Sequence, residues 1–393
     1  MRLAFIFLSI AYVLSQFFRS FLTVISEYLS KDLNVTPDDL AFSLGLWFLF
    51  FAIMQIPVGW FLDKYGPRYL ILTLLGIIGS IGIMIVSLAK EVNHLHIGMI
   101  LIGIGFSPVL MSSYFIFAKK FSASRFSTMA SLISGIGSFG LLVGSFPLIY
   151  STELIGWRNT LIILSLLNFF ISIIIFLCLD KKLPETEKIN KFSDLFTIFK
   201  VKKIWFIFPL VLMCYAPVSG LRGVWLGPYF INNFNVSSSE IGKISFLMSC
   251  FMIMGILLYG PLERVFKSRK WIVFLGNSIC LISLFFLVSN TNNYFLSITF
   301  FIIIGFFGMS FPVIVAHGKS FVPDELTGRG LTILNLFAIL GAGLTQLLTS
   351  YVYDYFSKKL SYNDLIFNYV FLIYFILLLF CLIIYFFSSD NLD

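Results

Sequence analysis

Charged residues are scarce in this sequence. Asp, Glu, Lys and Arg together make up 12% of the 393 residues, whereas hydrophobic residues make up 59%. A soluble globular domain carries about 25% charged residues. The chain also lacks any polar stretch long enough to form a separate soluble domain. These two absences exclude a water-soluble protein and predict that most of the chain lies in a lipid bilayer.

The sequence also lacks the residue patterns of metal and redox sites. Its five cysteines are scattered through apolar runs without CxxC or Cys/His spacing, so we expect neither disulfides nor a metal site. We find no nucleophile–base constellation, which argues against an enzyme, and we expect no cofactor. The net charge of +8 is spread over short clusters without interleaved aromatics, so nucleic acid is not an expected partner.

Apolar runs are what the sequence has in abundance. A helix needs about 20 apolar residues to cross the hydrocarbon core, and twelve runs of that kind can be counted. They predict an all-α integral membrane protein with spans near 3–29, 40–62, 69–89, 94–118, 126–150, 158–179, 204–231, 240–262, 271–289, 293–318, 327–350 and 365–388. The first run is too long for a cleaved signal peptide, so we read it as a retained helix.

The basic residues predict the orientation of these spans. With the N-terminus in the cytoplasm, 19 Lys and Arg residues fall in cytoplasmic segments and 6 in outer loops. The positive-inside rule therefore predicts that both termini are cytoplasmic. The longest polar segment, 181–203, is rich in lysine and separates six spans from six. We expect an N-terminal bundle at 1–180, a cytoplasmic linker at 181–203 and a C-terminal bundle at 204–393.

A glycine- and charge-containing loop between spans two and three carries a family resemblance. Residues 59–68 read GWFLDKYGPR, and the second half has a degenerate copy at 260–264. The loop resembles the signature loop of the major facilitator superfamily. That resemblance implies two pseudo-symmetric six-helix bundles that rock by alternating access. It also implies a gating role for Gly59, Asp63, Gly66 and Arg68, in which Gly59 permits close helix approach and Gly66 a tight turn.

Glycines recur in span five, at positions 135, 137, 140 and 144 ahead of Pro147. This ladder resembles a motif of exporters in the superfamily, although it lacks the tight Gly-Pro core. Close helix packing explains the ladder equally well. We therefore favour packing over an export motif.

Two arginines lie inside apolar runs, Arg19 in span one and Arg222 in span seven. They occupy nearly equivalent positions in the two halves, because 40 residues separate Arg19 from Gly59 and 38 separate Arg222 from Gly260. An arginine at the bilayer centre costs about 2.5–3.5 kcal/mol on the insertion scale. The alternative is that both side chains lie nearer the outer surface and extend to the interface.

None of the 19 acidic residues lies in the middle of a predicted span. The arginines therefore have no evident counter-ion in the chain, and a substrate anion is the natural partner of a guanidinium fork. The pair resembles the organophosphate:phosphate antiporter branch, which implies that both arginines clasp a phosphate. Much of the first half also resembles proteobacterial transporters of amino acids and small carboxylates, with the segment 55–59 typical of them.

Further polar residues could line a cavity in spans one, four, seven and eleven. Each is equally plausible as an interhelical hydrogen-bond partner; they are Tyr12, Gln16, Tyr114, Tyr215, Asn335 and Gln346.

We therefore predict a monomeric secondary transporter of a small organic or inorganic anion, embedded in the lipid bilayer of the inner (plasma) membrane. A composition rich in Ile, Phe, Lys and Asn suggests an AT-rich bacterial genome. A phosphate or organic phosphate would need both arginines, whereas an amino acid or monocarboxylate would need one. Phosphate should compete with the substrate only in the first case. A membrane sensor or scaffold without transport activity is the alternative from another class.

Overall fold

The protein is described here by a computed structural model, which covers residues 2–120, 123–179, 201–289, 293–322, 327–359 and 365–390. The chain divides into two compact units, residues 1–189 and residues 190–393. The predicted linker at 181–203 lies outside the described residues except for positions 201–203. The predicted domain limits therefore stay a prediction.

Unit 1 is built from helices that form spans one to six. Span one contains α1 and α2, span two α3, span three α4 to α5, span four α6 and α7, span five α8 and α9, and span six α10. Their bounds are α1 (Arg2–Phe17), α2 (Phe21–Leu33), α3 (Pro37–Tyr65), α4 (Pro67–Leu70), a π-helical segment (Ile71–Gly79), α5 (Ser80–Ser87), α6 (Val92–Phe106), α7 (Pro108–Lys120), α8 (Ala123–Val143), α9 (Phe146–Ile155) and α10 (Trp157–Cys178).

Unit 2 contains spans seven to twelve. Span seven runs from α11 to α13, spans eight and nine are α14 and α15, span ten contains α16 and α17, and spans eleven and twelve are α18 and α19. After a 3₁₀ turn (Lys202–Phe206) come α11 (Phe208–Met213), α12 (Ala216–Gly220), a π-helical segment (Leu221–Trp225), α13 (Leu226–Phe234), α14 (Ser238–Phe266), α15 (Arg269–Val288), α16 (Tyr294–Phe307), α17 (Phe311–Lys319), α18 (Thr327–Ser357) and α19 (Ile366–Phe386).

The number of membrane spans agrees with the sequence prediction. In the part of the chain that the structure describes, ten helical stretches are long and apolar enough to cross a membrane. Two further stretches consist of helix pairs, α1 with α2 and α8 with α9, bent by 53° and 48°. The count is up to twelve if each bent pair is one span.

Span one is broken where the sequence predicted one continuous helix. The break lies at residues 18–20, between α1 and α2, although no proline or glycine is present there. The neighbouring α8 passes unusually close, because a Cβ at Gly140 would collide with the Val13 carbonyl oxygen and lie 2.8 Å from the Gln16 Cβ. A Cβ at Gly144 would lie 3.3 Å from Phe17 Cδ2. Close packing is therefore the role of these glycines.

The same backbone contact recurs in unit 2 at the matching spans. A Cβ at Gly341 in α18 would collide with the Leu212 carbonyl oxygen in α11, as one at Gly140 would with Val13. Both units also start their second span with a capping box, formed by Thr36 with Asp39 and by Ser237 with Glu240. The two units thus share a close glycine–carbonyl contact and a capping box at matching spans.

Hydrogen bonds from the two residues that follow the turn at Gly156 connect three span ends of unit 1. Trp157 Nε1 donates to Asp32 Oδ2 at the end of α2, at 2.8 Å. An Nη of Arg158 donates to the carbonyl oxygens of Ser87 and Ala89, at 3.0 Å and 2.7 Å. Arg158 thereby satisfies carbonyls that the end of α5 leaves without helical partners. These bonds hold one end of the bundle around spans one, three and six.

Candidate functional site

Arg19 lies within the break of span one. Its backbone N–H donates to the Gln16 carbonyl at 3.3 Å, and its side chain extends toward span two. The guanidinium carbon lies 5.2 Å from the centre of the Trp47 ring and 5.1 Å from the centre of the Phe51 ring. The two rings stack on each other with centres 5.0 Å apart and planes inclined by 23°. An aromatic pair therefore binds the cation through its π-faces.

The Arg19 guanidinium has an unused donor. Its Nε is buried and has no hydrogen-bond partner, and within the described ranges no carboxylate lies in salt-bridge range of Arg19. Trp47 is fully buried, and its Nε1 is a second buried donor without a partner among the residues that the structure describes. Buried polar groups in native proteins are normally hydrogen-bonded. Two such donors beside one cation mark a place for an acceptor.

Arg222 has a different environment in unit 2. It lies on the π-helical segment of span seven and is 1% exposed. Its Nε donates to Ser249 Oγ in span eight at 2.9 Å. The same hydroxyl donates to the Ser245 carbonyl at 2.8 Å, so its lone pairs face the guanidinium. Ser249 thus fixes the direction of the arginine without neutralising its charge.

The other predicted polar residues of unit 1 each form a hydrogen bond within that unit. Gln16 Nε2 donates to the Tyr12 hydroxyl at 2.9 Å, one helical turn before Arg19. The Tyr12 ring packs where a Cβ at Gly137 would stand. Tyr114 in α7 is bonded to Ser134 in α8 at 3.2 Å. Tyr12 and Gln16 therefore share span one with Arg19, while Tyr114 links spans four and five.

In unit 2, Gln346 belongs to a buried network. Its Oε1 accepts from the Tyr374 hydroxyl at 2.6 Å, while its Nε2 is buried without a partner. Trp225 Nε1 donates to Thr349 Oγ1 at 3.3 Å, one turn along α18. Tyr215 precedes α12 and is half-buried, and Asn335 is half-buried on α18.

His317 does not belong to this site. It is fully buried at the end of span ten, between the Tyr385 hydroxyl at 2.8 Å and the Ser389 carbonyl at 2.9 Å. Because the carbonyl only accepts, Nε2 donates to it and Nδ1 accepts from Tyr385. Both ring nitrogens of His317 are therefore bonded within unit 2.

The loop between spans two and three contains the tight turn that was predicted at Gly66. Gly66 has φ of 74° and ends α3, so a glycine is required at this turn. A Cβ at Gly59 would meet no atom within 4 Å, so the close helix approach expected there is not found. Arg68 stacks over Phe176 at 4.2 Å. The Asp63 side chain lies outside the described residues, and the gating roles stay predictions.

Sequence reasoning missed the aromatic pair Trp47 and Phe51 and the orienting hydroxyl of Ser249. The only available signal was their spacing, since Trp47 and Phe51 lie four residues apart and share a helix face. Among the described residues no group of three or more His, Cys, Asp or Glu could hold a metal ion.

Comparisons with known proteins agree with this architecture. The chain is similar to a "Probable nitrate transporter NarT" of Staphylococcus haemolyticus, at 22% identity over 57% of this chain and 57% of that protein. It is also similar to an "Uncharacterized transporter" of Rickettsia bellii, at 27% identity over 63% of this chain and 60% of that protein. The chain thus spans about 60% of the length of these curated relatives.

Solved structures share the fold over almost the whole chain. A bacterial homologue of the human lysosomal transporter Spinster, in an inward-facing and occupied conformation, superposes with a TM-score of 0.77 at 18% identity. That match covers 98% of this chain and 96% of the other. A D-xylose-proton symporter superposes with a TM-score of 0.75 at 14% identity, over 98% and 97% of the two chains.

The matched relatives and structures are transporters and not enzymes, in agreement with the sequence prediction. The family pattern itself matches twice, at residues 8–224 and 213–391, which together cover nearly all of the chain. This protein, a multi-pass membrane protein of transporter type, belongs to the Major Facilitator Superfamily.

Proposed function

We propose that this protein moves a small anion across the membrane by alternating access, with Arg19 and Arg222 as the residues that bind the anion. Tyr12, Gln16, Tyr114, Tyr215, Asn335 and Gln346 supply neutral polar contacts to the same substrate. Gly59, Asp63, Gly66 and Arg68 act in gating. The protein works as a monomer in a bacterial inner membrane with both termini in the cytoplasm.

The environment of Arg19 is the observation that carries this proposal. A guanidinium with a buried Nε that has neither a hydrogen-bond partner nor a carboxylate among the described residues is suited to bind an anionic substrate. Its planar edge binds the two oxygens of an oxyanion side by side. The π-faces of Trp47 and Phe51 stabilise the cation. A cationic substrate would be repelled from such a site.

The relatives named as probable nitrate transporters support an anionic substrate for this chain. Their match covers only part of each protein at 22–23% identity, so the support is for the class of substrate.

A second candidate is uptake of an amino acid or monocarboxylate. It is favoured by the different hydrogen bonding of the two arginines. Ser249 already occupies the Nε of Arg222, whereas the Nε of Arg19 has no partner. Such a site would use Arg19 as its principal anchor and neutral groups elsewhere.

Flux through proteoliposomes tests the proposal. We expect purified protein to take up at least one of three radiolabelled or electrode-detected anions: phosphate, acetate or nitrate. The labelled uptake should fall when the same unlabelled anion is added in excess. Inhibition of the uptake by phosphate would favour the organophosphate interpretation, and inhibition by acetate or glycine alone the second candidate. Absence of both flux and thermal stabilisation with every anion would contradict the proposal and favour the sensor alternative.

Replacing Ser249 by alanine is expected to lower uptake roughly 3- to 10-fold, because one hydrogen bond that orients a charged group is lost. The effect should fall mainly on KM, and Ser249→Thr should restore most of the activity. Ser245→Ala is the matched control, since this buried hydroxyl one turn earlier has no partner. Equal uptake by the two alanine variants would show that Ser249 does not position Arg222.

A further inference from the structure

We infer that the indole N–H of Trp47 is a second donor to the transported anion, and that the anion site of unit 1 takes a singly charged oxyanion rather than a phosphate dianion. This inference rests on the proposed function, because it names the substrate class of the same site. Nitrate and small carboxylates have the required chemistry.

The first step is the position of the two unused donors. The Arg19 guanidinium carbon lies 5.2 Å from the centre of the Trp47 ring, and Nε1 is an atom of that ring. Arg19 Nε and Trp47 Nε1 are both buried, and in the described part of the chain neither has a hydrogen-bond partner. An oxyanion carries two or more acceptor oxygens, so one ligand can accept from both residues. Neither donor then stays unsatisfied.

The second step concerns how firmly Trp47 is held. Its side chain is fully buried, and a Cβ at Gly103 of α6 would lie 2.5 Å from the Trp47 carbonyl oxygen. The indole also packs edge-on against Phe48 at 5.0 Å and face-on against Phe51. The Gly103 contact holds the backbone of Trp47, and full burial together with the two phenylalanine rings keeps the indole N–H away from water. Phenylalanine would fill most of this space without burying a donor, so the N–H has no packing role.

The third step is the charge of the ligand. The walls of the site in unit 1 are aromatic, and Arg19 is the cation that faces them. The cost of moving an ion from water into a low-dielectric environment rises with the square of its charge. A monoanion forms a neutral pair with Arg19 alone. A dianion would need the charge of Arg222 as well, whose Nε already donates to Ser249, and otherwise leaves one negative charge among electron-rich aromatic faces. A singly charged oxyanion is therefore selected.

Trp47→Phe tests the inference because it keeps the aromatic face and removes only the donor. Binding of sodium nitrate, sodium acetate and sodium phosphate to the purified protein is measured by thermal shift and isothermal titration. We expect wild type to bind nitrate or acetate at least tenfold more tightly than phosphate. Trp47→Phe should weaken binding of the preferred anion at least tenfold, because one hydrogen bond to a charged ligand is lost. Without anion, its Tm should equal or exceed that of wild type.

Controls separate this inference from the proposed function. Trp271→Phe, at a half-exposed indole in unit 2, should bind anions as wild type does. Wild-type affinity in Trp47→Phe would overturn the role of the indole and leave the proposed anion transport intact. Tighter binding of phosphate than of nitrate and acetate by wild type would overturn the selection by charge. If no anion binds to wild type and none is transported, both proposals fall together.

Discussion

Arg19→Ala is expected to lower anion uptake at least tenfold, and up to roughly 100-fold, at normal levels of protein in the membrane. The physical reason is the loss of charge-assisted hydrogen bonds, which contribute about 1.5–3 kcal/mol each. Arg19→Lys should restore little activity. An ammonium has no planar edge for an oxyanion and no flat surface to stack on the Trp47 and Phe51 rings.

The measurement is initial uptake in proteoliposomes with the reconstituted protein quantified for each variant. Lys31→Ala is the matched control, because it removes a positive charge from the same span. Lys31 is highly exposed and paired with Glu27 at 2.6 Å, and such surface pairs contribute little. Wild-type uptake by Arg19→Ala would end the hypothesis that this arginine binds the substrate. The same comparison applies to Arg222→Ala, for which we also expect at least a tenfold loss.

Gly140→Leu is expected to prevent correct folding of unit 1. The first side-chain carbon would already collide with the Val13 carbonyl oxygen and lie 2.9 Å from the Phe17 backbone nitrogen. Because the obstructing atoms are backbone, helix α8 must move away from span one. Overpacking of this kind costs typically 1–3 kcal/mol and more when backbone must shift, a large share of the roughly 5–15 kcal/mol that stabilises a native protein.

The yield of monodisperse protein in size-exclusion chromatography after detergent extraction measures this effect, together with Tm. Gly135→Leu is the control on the same helix, since a Cβ at Gly135 would meet no atom within 4 Å. We expect a several-fold loss of yield for Gly140→Leu and little loss for Gly135→Leu. Gly341→Leu should fail in the same manner through the Leu212 carbonyl oxygen. Equal yields for both unit 1 variants would show that the close helix contact is not required.

Much of the fold follows from the sequence because a helix that crosses the membrane needs a long apolar run. Apolar run length decides which segments can span, and each predicted run coincides with a described helical stretch to within a few residues. The helices extend beyond the runs where polar residues cap them, as at the Thr36 and Asp39 box that starts span two before residue 40. The turn at Gly66 could be predicted because glycine readily adopts the positive φ that such a turn requires.

The breaks in the spans could not be predicted in the same way. Span one bends at residues 18–20 without proline or glycine, beside glycines that lie more than 100 residues away on α8. Span seven contains several glycines and prolines, yet the segment Phe208–Phe234 remains one span with a π-helical turn at Arg222.

Composition, run length and the distribution of charge thus determined by themselves that the chain is a helical membrane protein with two arginines placed in apolar runs. Those properties depend on whether each residue prefers water or lipid, and that preference is a property of the residue type itself. Only the tertiary structure decided that Trp47 and Phe51 stack beneath Arg19, that Ser249 bonds to Arg222, and that two buried donors beside Arg19 have no partner among the described residues. Such contacts join helices distant in sequence, and their energies exist only after the helices have packed.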